Sequence, residues 1–356
     1  MAQGPYRASG CRISDEFAYR GLRVCVLENE LVRVSVLVDQ GTDIFELQYK
    51  PLGIDVLYQT PRGVSNPRHY IASTPAKDGG FFDFYEGGWQ ECFPNGGRVC
   101  RSQGADFGLH GEVFGLAWDC TIVEDTPSEV AARFSVRTPR TPFLLEKTLR
   151  LRSGCAVLRI EERLTNESRE AVDCMWGHHP AFGPPFLSDA CVLTTGAQTA
   201  VLHDADDPLS RFVPPLSGPL PYLVGRQGWP IDISVIPAPT AVASDMWYLT
   251  DLDSGWYALT NTELQLSAYM TFDHTLFRHI WYWIACNAPL GSPFFGQAYA
   301  VALEPFTSYP AILTNTIEAG RQLRVGPRQV VETALCAGLM RTPGPPMAQG
   351  ELPQFG

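Results

Sequence analysis

Several features that would assign the chain to a familiar class are missing from its 356 residues. None of the ten cysteines belongs to a Cys-x-x-Cys pair, so the sequence indicates neither a zinc site nor a compact disulfide framework. No apolar run is long enough to span a bilayer, and the first ten residues lack the apolar segment of a signal peptide. We therefore expect a cytoplasmic protein with reduced thiols and no membrane partner.

Positive charge is also scarce. Lysine and arginine total 27 against 38 aspartates and glutamates, a net charge of −11, and the basic residues form no cluster. An acidic chain of this kind excludes nucleic acid and anionic membrane surfaces as expected partners, and it does not favour a highly phosphorylated substrate. Nothing in the composition decides between a monomer and a homodimer.

A sustained helical period is absent, and so is any repeat of fixed length. Alternating runs rich in β-branched residues occur instead, beginning with a predicted hairpin at residues 22–27 and 32–37. The pattern predicts an all-β chain, a large antiparallel β-sandwich with two extended sheets.

The irregular stretches set the predicted boundaries. We expect an irregular N-terminal lead-in at 1–21, one sandwich domain at 22–337 and a flexible C-terminal tail at 338–356. Residues 205–242 are rich in proline, which is typical of a lid or of plain surface packing.

Histidines mark the first candidate site. Two of the seven, His178 and His179, stand side by side before a run of glycine and proline, and His110 lies in a second glycine-flanked turn. An imidazole can hold or give a proton near neutral pH. Adjacent strand residues point to opposite faces, so one of the pair should face a groove, and the sequence does not say which. The alternative is a core histidine bound to a backbone carbonyl.

Glu304 is the candidate base, because it lies between apolar residues and partial burial would raise the pKa of its carboxyl. The alternative is a strand-end carboxylate paired with Arg321. Two histidines and a glutamate can also bind a metal, but adjacent histidines cannot both face one ion. Acid–base chemistry therefore ranks first, and we expect no metal and no other cofactor.

Aromatic residues suggest a sugar, whose apolar ring faces stack on flat side chains while polar groups bind its hydroxyls. Trp89 and Trp281 are the candidate stacking residues, and Asn95 and Asp273 the candidate hydroxyl partners. Core packing is the alternative for one of Trp281 and Trp283, and ordinary turn chemistry is the alternative for Asn95 and Asp273.

Over residues 22–337 the chain resembles the aldose 1-epimerase (mutarotase) family. The resemblance depends on the order of several short motifs: the hairpin at 27–34 with Gly-Thr-Asp-Ile at 41–44, the loop at 87–96, His110-Gly111 followed by Trp118, His179-Pro180-Ala181-Phe182, and Glu304 before the final strands.

This resemblance implies a galactose mutarotase-like β-sandwich that interconverts the α and β anomers of a free or substituted aldose. Glu304 and His179 would be the catalytic base and acid, and His110 would bind substrate. Two departures are visible. Glu86 and the segment 112–114 stand where the phosphosugar branch carries arginines, and Ala181 replaces the usual tyrosine.

Two other readings use the same residues. A non-catalytic carbohydrate-binding protein would need the aromatics and Asn95 or Asp273, but no base opposite a histidine. A glycoside hydrolase or lyase would need paired carboxylates, and Glu304 is the one convincing candidate.

Overall fold

The computed structural model describes residues 7, 9–75, 77–205, 207–347 and 352. Nearly all regular structure in this part of the chain is β. The strands are β1 (Arg12–Tyr19), β2 (Leu22–Glu28), β3 (Val32–Leu37), β4 (Asp43–Tyr49), β5 (Ile54–Asp55), β6 (Trp89–Cys92), β7 (Cys100–Ser102), β8 (Ala105–Phe107), β9 (Asp119–Asp125), β10 (Glu129–Arg137), β11 (Phe143–Arg152), β12 (Val157–Asn166), β13 (Val172–Cys174), β14 (Gly177–Phe182), β15 (Cys191–Leu202), β16 (Ser217–Pro219), β17 (Tyr222–Val224), β18 (Pro230–Asp232), β19 (Ala243–Asn261), β20 (Leu266–Phe272), β21 (His279–Cys286), β22 (Tyr299–Phe306), β23 (Leu323–Val325) and β24 (Val330–Arg341). The helices are α1 (Phe81–Phe84) and α2 (Leu313–Glu318), and 3-10 turns lie at Pro67–His69, Lys77–Gly80 and Val113–Gly115.

The strands form two large antiparallel layers. In the first, the neighbours run β1–β2–β3–β4–β6–β14–β22–β21–β19. In the second they run β9–β10–β11–β12–β24–β20–β19. The long strand β19 belongs to both, because its residues 243–249 pair with β21 and its residues 256–261 pair with β20. The predicted antiparallel β-sandwich is confirmed.

Side-chain alternation explains how the layers pack. In β11 every second residue is buried, from Phe143 to Leu151, and the residues between are half-buried. A strand with this period buries one face, and the apolar faces of the two layers meet in the main core. The strands that carry the candidate site, β14 and β22, are buried on both faces, because loops cover the outer face of the first layer.

Both predicted edges of the sandwich need correction. Residues 12–19 of the expected irregular lead-in form β1, which pairs with β2. The register of this pairing shifts between Ser14 and Phe17, and this irregularity explains why the sequence shows no regular alternation there. At the other end β24 continues to Arg341, and Met347 is fully buried. Within both predicted segments, residues 1–6, 8, 348–351 and 353–356 lie outside the described residues.

The proline-rich excursion at 205–242 packs against the main core through Phe212, Leu223, Ile233 and Ile236 in its described part. Surface packing is therefore the better description of most of this segment. No helix in the described residues has the length and apolar character needed to cross a membrane.

Candidate active site

A cavity of about 580 Å³ lies against the outer face of the first layer. Strands β14, β22 and β21 form its floor, and loops around residues 81–85, 96–98, 109–110, 203–205, 289–294 and 310–315, together with Asp207, form its walls. This volume lies within the range of about 300–1,000 Å³ that is usual for small-molecule sites. The cavity brings together His110, His179, Trp281 and Glu304 from distant parts of the sequence.

The sheet register places Glu304 opposite His179. Gly177 pairs with Phe306 and Ala181 with Ala302, so the residues midway between them on β14 and β22 face each other on one side of the sheet. The Nε2 atom of His179 lies 3.6 Å from Oε1 of Glu304, and both side chains are buried. Glu304 is not paired with Arg321, whose guanidinium lies over the ring of Tyr309.

Burial shifts both groups toward their neutral forms. It raises the pKa of the Glu304 carboxyl well above its usual value and lowers the pKa of the His179 imidazole to about 4. Burial therefore favours the uncharged form of the pair, with a proton on the carboxyl and a neutral imidazole, over the form with a carboxylate and an imidazolium. Moving that proton to the imidazole leaves the net charge of the pair at zero, so the site can exchange acid and base roles without gaining or losing charge.

His110 approaches the same pair from a tight turn. Its φ is +59°, and the following Gly111 has a φ of +82°. A Cβ on Gly111 would lie 2.1 Å from the carbonyl oxygen of Phe93, so this position requires glycine. The rings of His110 and His179 are 5.0 Å apart between centroids. Burial, and then the proximity of His179, lower the pKa of His110 well below its usual value.

Aromatic rings line much of the cavity. Trp281 on β21 pairs with Glu304 in register, stacks on Phe306 at 3.7 Å between centroids, and donates its indole N–H to the carbonyl of Ser308. The cavity wall also includes aromatic residues that the sequence did not single out as ligands: Phe81, Phe82, Tyr85, Trp283 and Phe294. The sequence signal for these residues was the density of aromatics in segment 81–85, on β21 and in the segment after β21.

The structure corrects three of the predicted substrate contacts: Trp89, Asp273 and, as described below, Asn95. Trp89 is buried on the inner face of the layer, where its indole N–H donates to Nδ1 of His178. Asp273 is exposed in the turn before β21, and its side chain accepts from the backbone and hydroxyl of Thr275.

Asn95 is fully buried and joins its own loop to the turn at Gly108 and to the start of α2. Its Oδ1 atom accepts from the backbone N–H of Leu313, and its Nδ2 donates to the carbonyls of Gly97, Arg98 and Gly108. Turn and loop chemistry, the alternative reading of the sequence, explains both Asn95 and Asp273.

One end of the cavity is polar, and the sequence analysis did not predict it. Arg98 lines it together with His203, whose Nδ1 lies 2.6 Å from the hydroxyl of Tyr248. Burial and the charge of Arg98 lower the pKa of His203. The available signal was a basic residue that closes the glycine-rich loop at 96–98.

His178 lies behind the cavity, between the two layers. Its Nδ1 accepts from Trp89 at 3.2 Å, so Nε2 carries the proton and donates to Oε2 of Glu162 on β12 at 3.1 Å. Beside this group, Lys147 donates to Glu91 at 3.0 Å. Buried polar groups of both layers are thus bonded directly beneath the strand that carries His179.

Ala181 stands at the position where the resemblance leads us to expect tyrosine. It is fully buried in a cluster with Tyr58 and Tyr85, and its carbonyl accepts from the backbone N–H of Tyr58. The ring of Tyr85 lies edge-on to His179 at 5.9 Å. A phenol therefore reaches the neighbourhood of His179 from another segment of the chain. Within the described part of the chain, no group of three or more His, Cys, Asp or Glu is arranged to hold a metal ion.

Comparisons with known proteins agree with this architecture. The family model described as "Domain of unknown function (DUF4432)" matches residues 19–211. No curated protein matches the chain. Among solved structures, a candidate aldose 1-epimerase from Klebsiella pneumoniae is similar with a TM-score of 0.75 and 15% identity, over 95% of this chain and 85% of the other.

Two further structures have similar folds. A galactose mutarotase-like protein from Clostridium acetobutylicum has a TM-score of 0.64 at 13% identity, over 94% of this chain and 99% of that protein. A galactose mutarotase related enzyme from Lactobacillus acidophilus has a TM-score of 0.57 at 12% identity, over 91% and 100%. At these identities the similarity concerns the fold, which is the galactose mutarotase-like β-sandwich.

Proposed function

The chain belongs to the family described as "Domain of unknown function (DUF4432)", and we propose that this member is an isomerase that interconverts the α and β anomers of an aldose by acid–base opening of its ring. The observation that carries the proposal is the buried His179–Glu304 pair, 3.6 Å apart, in an aromatic-lined cavity. The names of the similar structures point to the same chemistry but concern those proteins.

The proposed reaction needs one proton acceptor and one donor. Glu304 as carboxylate takes the proton from the C1 hydroxyl, and the electrons of that O–H bond form the C1 carbonyl. The bond between C1 and the ring oxygen breaks, and the ring oxygen takes the proton of His179. Rotation about the C1–C2 bond followed by the reverse steps gives the other anomer.

The electrostatics of the pair suit this cycle. Before ring opening the proton lies on His179, and afterwards on Glu304, so the net charge of the pair is unchanged. Burial favours the second arrangement, with a neutral acid and a neutral imidazole. A bound hydroxyl at Glu304 and a ring oxygen at His179 supply the hydrogen bonds that favour the first arrangement.

Other cavity residues orient the sugar in this proposal. Trp281 and Phe81 line the cavity and would contact the apolar side of the sugar ring, and Arg98 would bind ring hydroxyls. His110 is neutral and 5.0 Å from His179 between ring centroids, close enough to hydrogen-bond the ring oxygen or its neighbouring hydroxyl.

The test follows the anomeric NMR signals of freshly dissolved α-D-glucose and α-D-galactose. We expect the protein to speed equilibration and Glu304→Gln to reduce this effect by about 10²–10⁴-fold. Glu263→Gln, at an exposed position, is the matched control. Ligand-induced shifts without acceleration of any free or substituted aldose would favour the non-catalytic carbohydrate-binding alternative.

A further inference from the structure

A second, smaller cavity of about 210 Å³ adjoins the candidate active site. The two share one wall, which consists of Phe82, Tyr85, Pro293 and Phe294. Phe82 and Phe294 meet edge to face with 5.9 Å between ring centroids, and both are only partly buried. These two rings form part of the wall between the cavities, and rotation of partly buried side chains would change the size of the opening there.

The walls of the small cavity are mostly apolar. Phe82, Phe294 and Phe295 supply rings, and Pro61 and Pro293 supply further apolar surface. Arg62 is the one charged residue on the described wall, and its guanidinium already donates to the carbonyl of Phe82 at 2.7 Å. This lining favours an uncharged occupant of about the size of one ring.

Two phenols that line the small cavity lack hydrogen-bond partners among the described residues. The hydroxyl oxygens of Tyr58 and Tyr85 are buried and have no partner among the described residues. Burial raises the pKa of Tyr58 to about 12 and that of Tyr85 well above its usual value, so both stay protonated. Each buried O–H therefore needs an acceptor, and an occupant with an acceptor oxygen would supply one.

The position of the cavity fixes which part of a sugar would reach it, a step that rests on the proposed function. His179 serves the ring oxygen in that proposal, and C5, which carries C6, is bonded to the ring oxygen. Tyr85 lies beside His179 and forms part of the shared wall. We therefore infer a pose in which the O6 side of a bound hexose is directed toward the small cavity and C1 toward Glu304.

We propose that the small cavity is a subsite for a ring-sized, uncharged acyl group esterified to O6, so that the preferred substrate is a 6-O-acylated aldose. The ester carbonyl accepts from the free phenols, and the apolar body of the acyl group packs against the phenylalanine rings. The anomeric hydroxyl stays free, as the reaction at C1 requires.

The experiment compares 6-O-benzoyl-D-glucose, D-glucose and the 6-linked disaccharide melibiose, by calorimetric binding and by the rate of anomer exchange. Gln297→Trp fills the small cavity from an exposed position, and Gln59→Trp is the same change at an exposed position outside both cavities. Tyr58→Phe removes one phenol that lines the small cavity and not the main one.

We expect the benzoyl ester to bind at least tenfold more tightly than glucose. Gln297→Trp should abolish this preference, Tyr58→Phe should reduce it several-fold, and Gln59→Trp should leave it unchanged. Glucose binding should stay within twofold throughout. Equal affinity for ester and glucose would overturn the subsite, and a stronger preference for melibiose would overturn the acyl assignment.

Binding and turnover separate the two proposals. Selective ester binding without anomer exchange would support the subsite and contradict the isomerase. Exchange of glucose anomers without a preference for the ester would support the isomerase and contradict the subsite.

Discussion

The rings of His178 and His179 lie on opposite faces of β14, and each meets a buried glutamate. His178 bonds Glu162 at 3.1 Å between the layers, whereas His179 faces Glu304 at 3.6 Å in the cavity. Both ring nitrogens of His178 are bonded, because Nδ1 also accepts from the indole N–H of Trp89, whereas Nδ1 of His179 and Oε2 of Glu304 have no hydrogen-bond partner among the described residues. Two identical neighbouring residues thus have separate tasks, stability for one and proposed chemistry for the other.

This difference predicts opposite effects of alanine at the two positions. His178→Ala leaves the Trp89 N–H and the Glu162 carboxylate unpaired, and we expect a loss of about 1–3 kcal/mol in unfolding free energy for each group. His179→Ala should change stability far less and abolish anomer exchange. Urea unfolding and the NMR exchange assay measure the two effects. Should His178→Ala fail to fold, Trp89→Phe removes one bond of the same network; equal stability of Trp89→Phe and wild type would contradict the assignment.

The contribution of Glu304 to the free energy of unfolding should fall as pH rises through the raised pKa of its carboxyl. Its folded pKa lies well above 4.5, so in this window the folded state binds more protons than the unfolded state. The stabilisation is complete below pH 4.5 and is lost with a slope of at most about 1.4 kcal/mol per pH unit. Glu304→Gln removes this contribution, so the stability of the variant relative to wild type should increase with pH. Urea unfolding of both proteins at several pH values measures this change. A difference in unfolding free energy that does not vary with pH would contradict the raised pKa of Glu304.

Gly111 should resist substitution more than another glycine of similar backbone angle. Gly111→Ala combines a φ of +82° with a Cβ 2.1 Å from the Phe93 carbonyl oxygen, whereas Gly104, at +86°, has open space around it. Strain alone costs about 1–3 kcal/mol, and we expect Gly104→Ala to show no more than that. Gly111→Ala should lose more and should also weaken sugar binding by moving His110. Equal losses of unfolding free energy in the two variants would show that the close approach to Phe93 does not matter.

Lys147 should be intolerant of neutral replacement while Glu91 remains. Both side chains are buried, and their ion pair is 3.0 Å long. Lys147→Met leaves an uncompensated carboxylate, and the expected loss is about 3–5 kcal/mol. The double variant Lys147→Met/Glu91→Gln should recover part of it, because the buried charge is gone. A double-mutant cycle by denaturant unfolding measures this coupling, and additive losses would contradict it.

The sequence by itself determined the fold class and singled out four candidate site residues that the structure brings together in one cavity. Alternating β-branched runs require one buried face per strand, which leads to an antiparallel sandwich. His110, His179, Trp281 and Glu304 all line one cavity, and glycine, proline and apolar neighbours had set these residues apart. The same local reasoning was wrong for Trp89, Asn95 and Asp273. An aromatic or polar side chain beside a turn gives the same sequence pattern whether it binds a ligand or stabilises the protein's own structure.

Only the tertiary structure decided which histidine faces the cavity and which groups accompany it. Alternation shows that His178 and His179 diverge, but the direction depends on the register of β14 between β6 and β22 and on the buried groups of the opposite layer. The phenol of Tyr85 beside His179, the guanidinium of Arg98 and the second cavity all come from segments far apart in the chain. Contacts of this kind depend on the packing of loops over a sheet, which no local sequence pattern encodes.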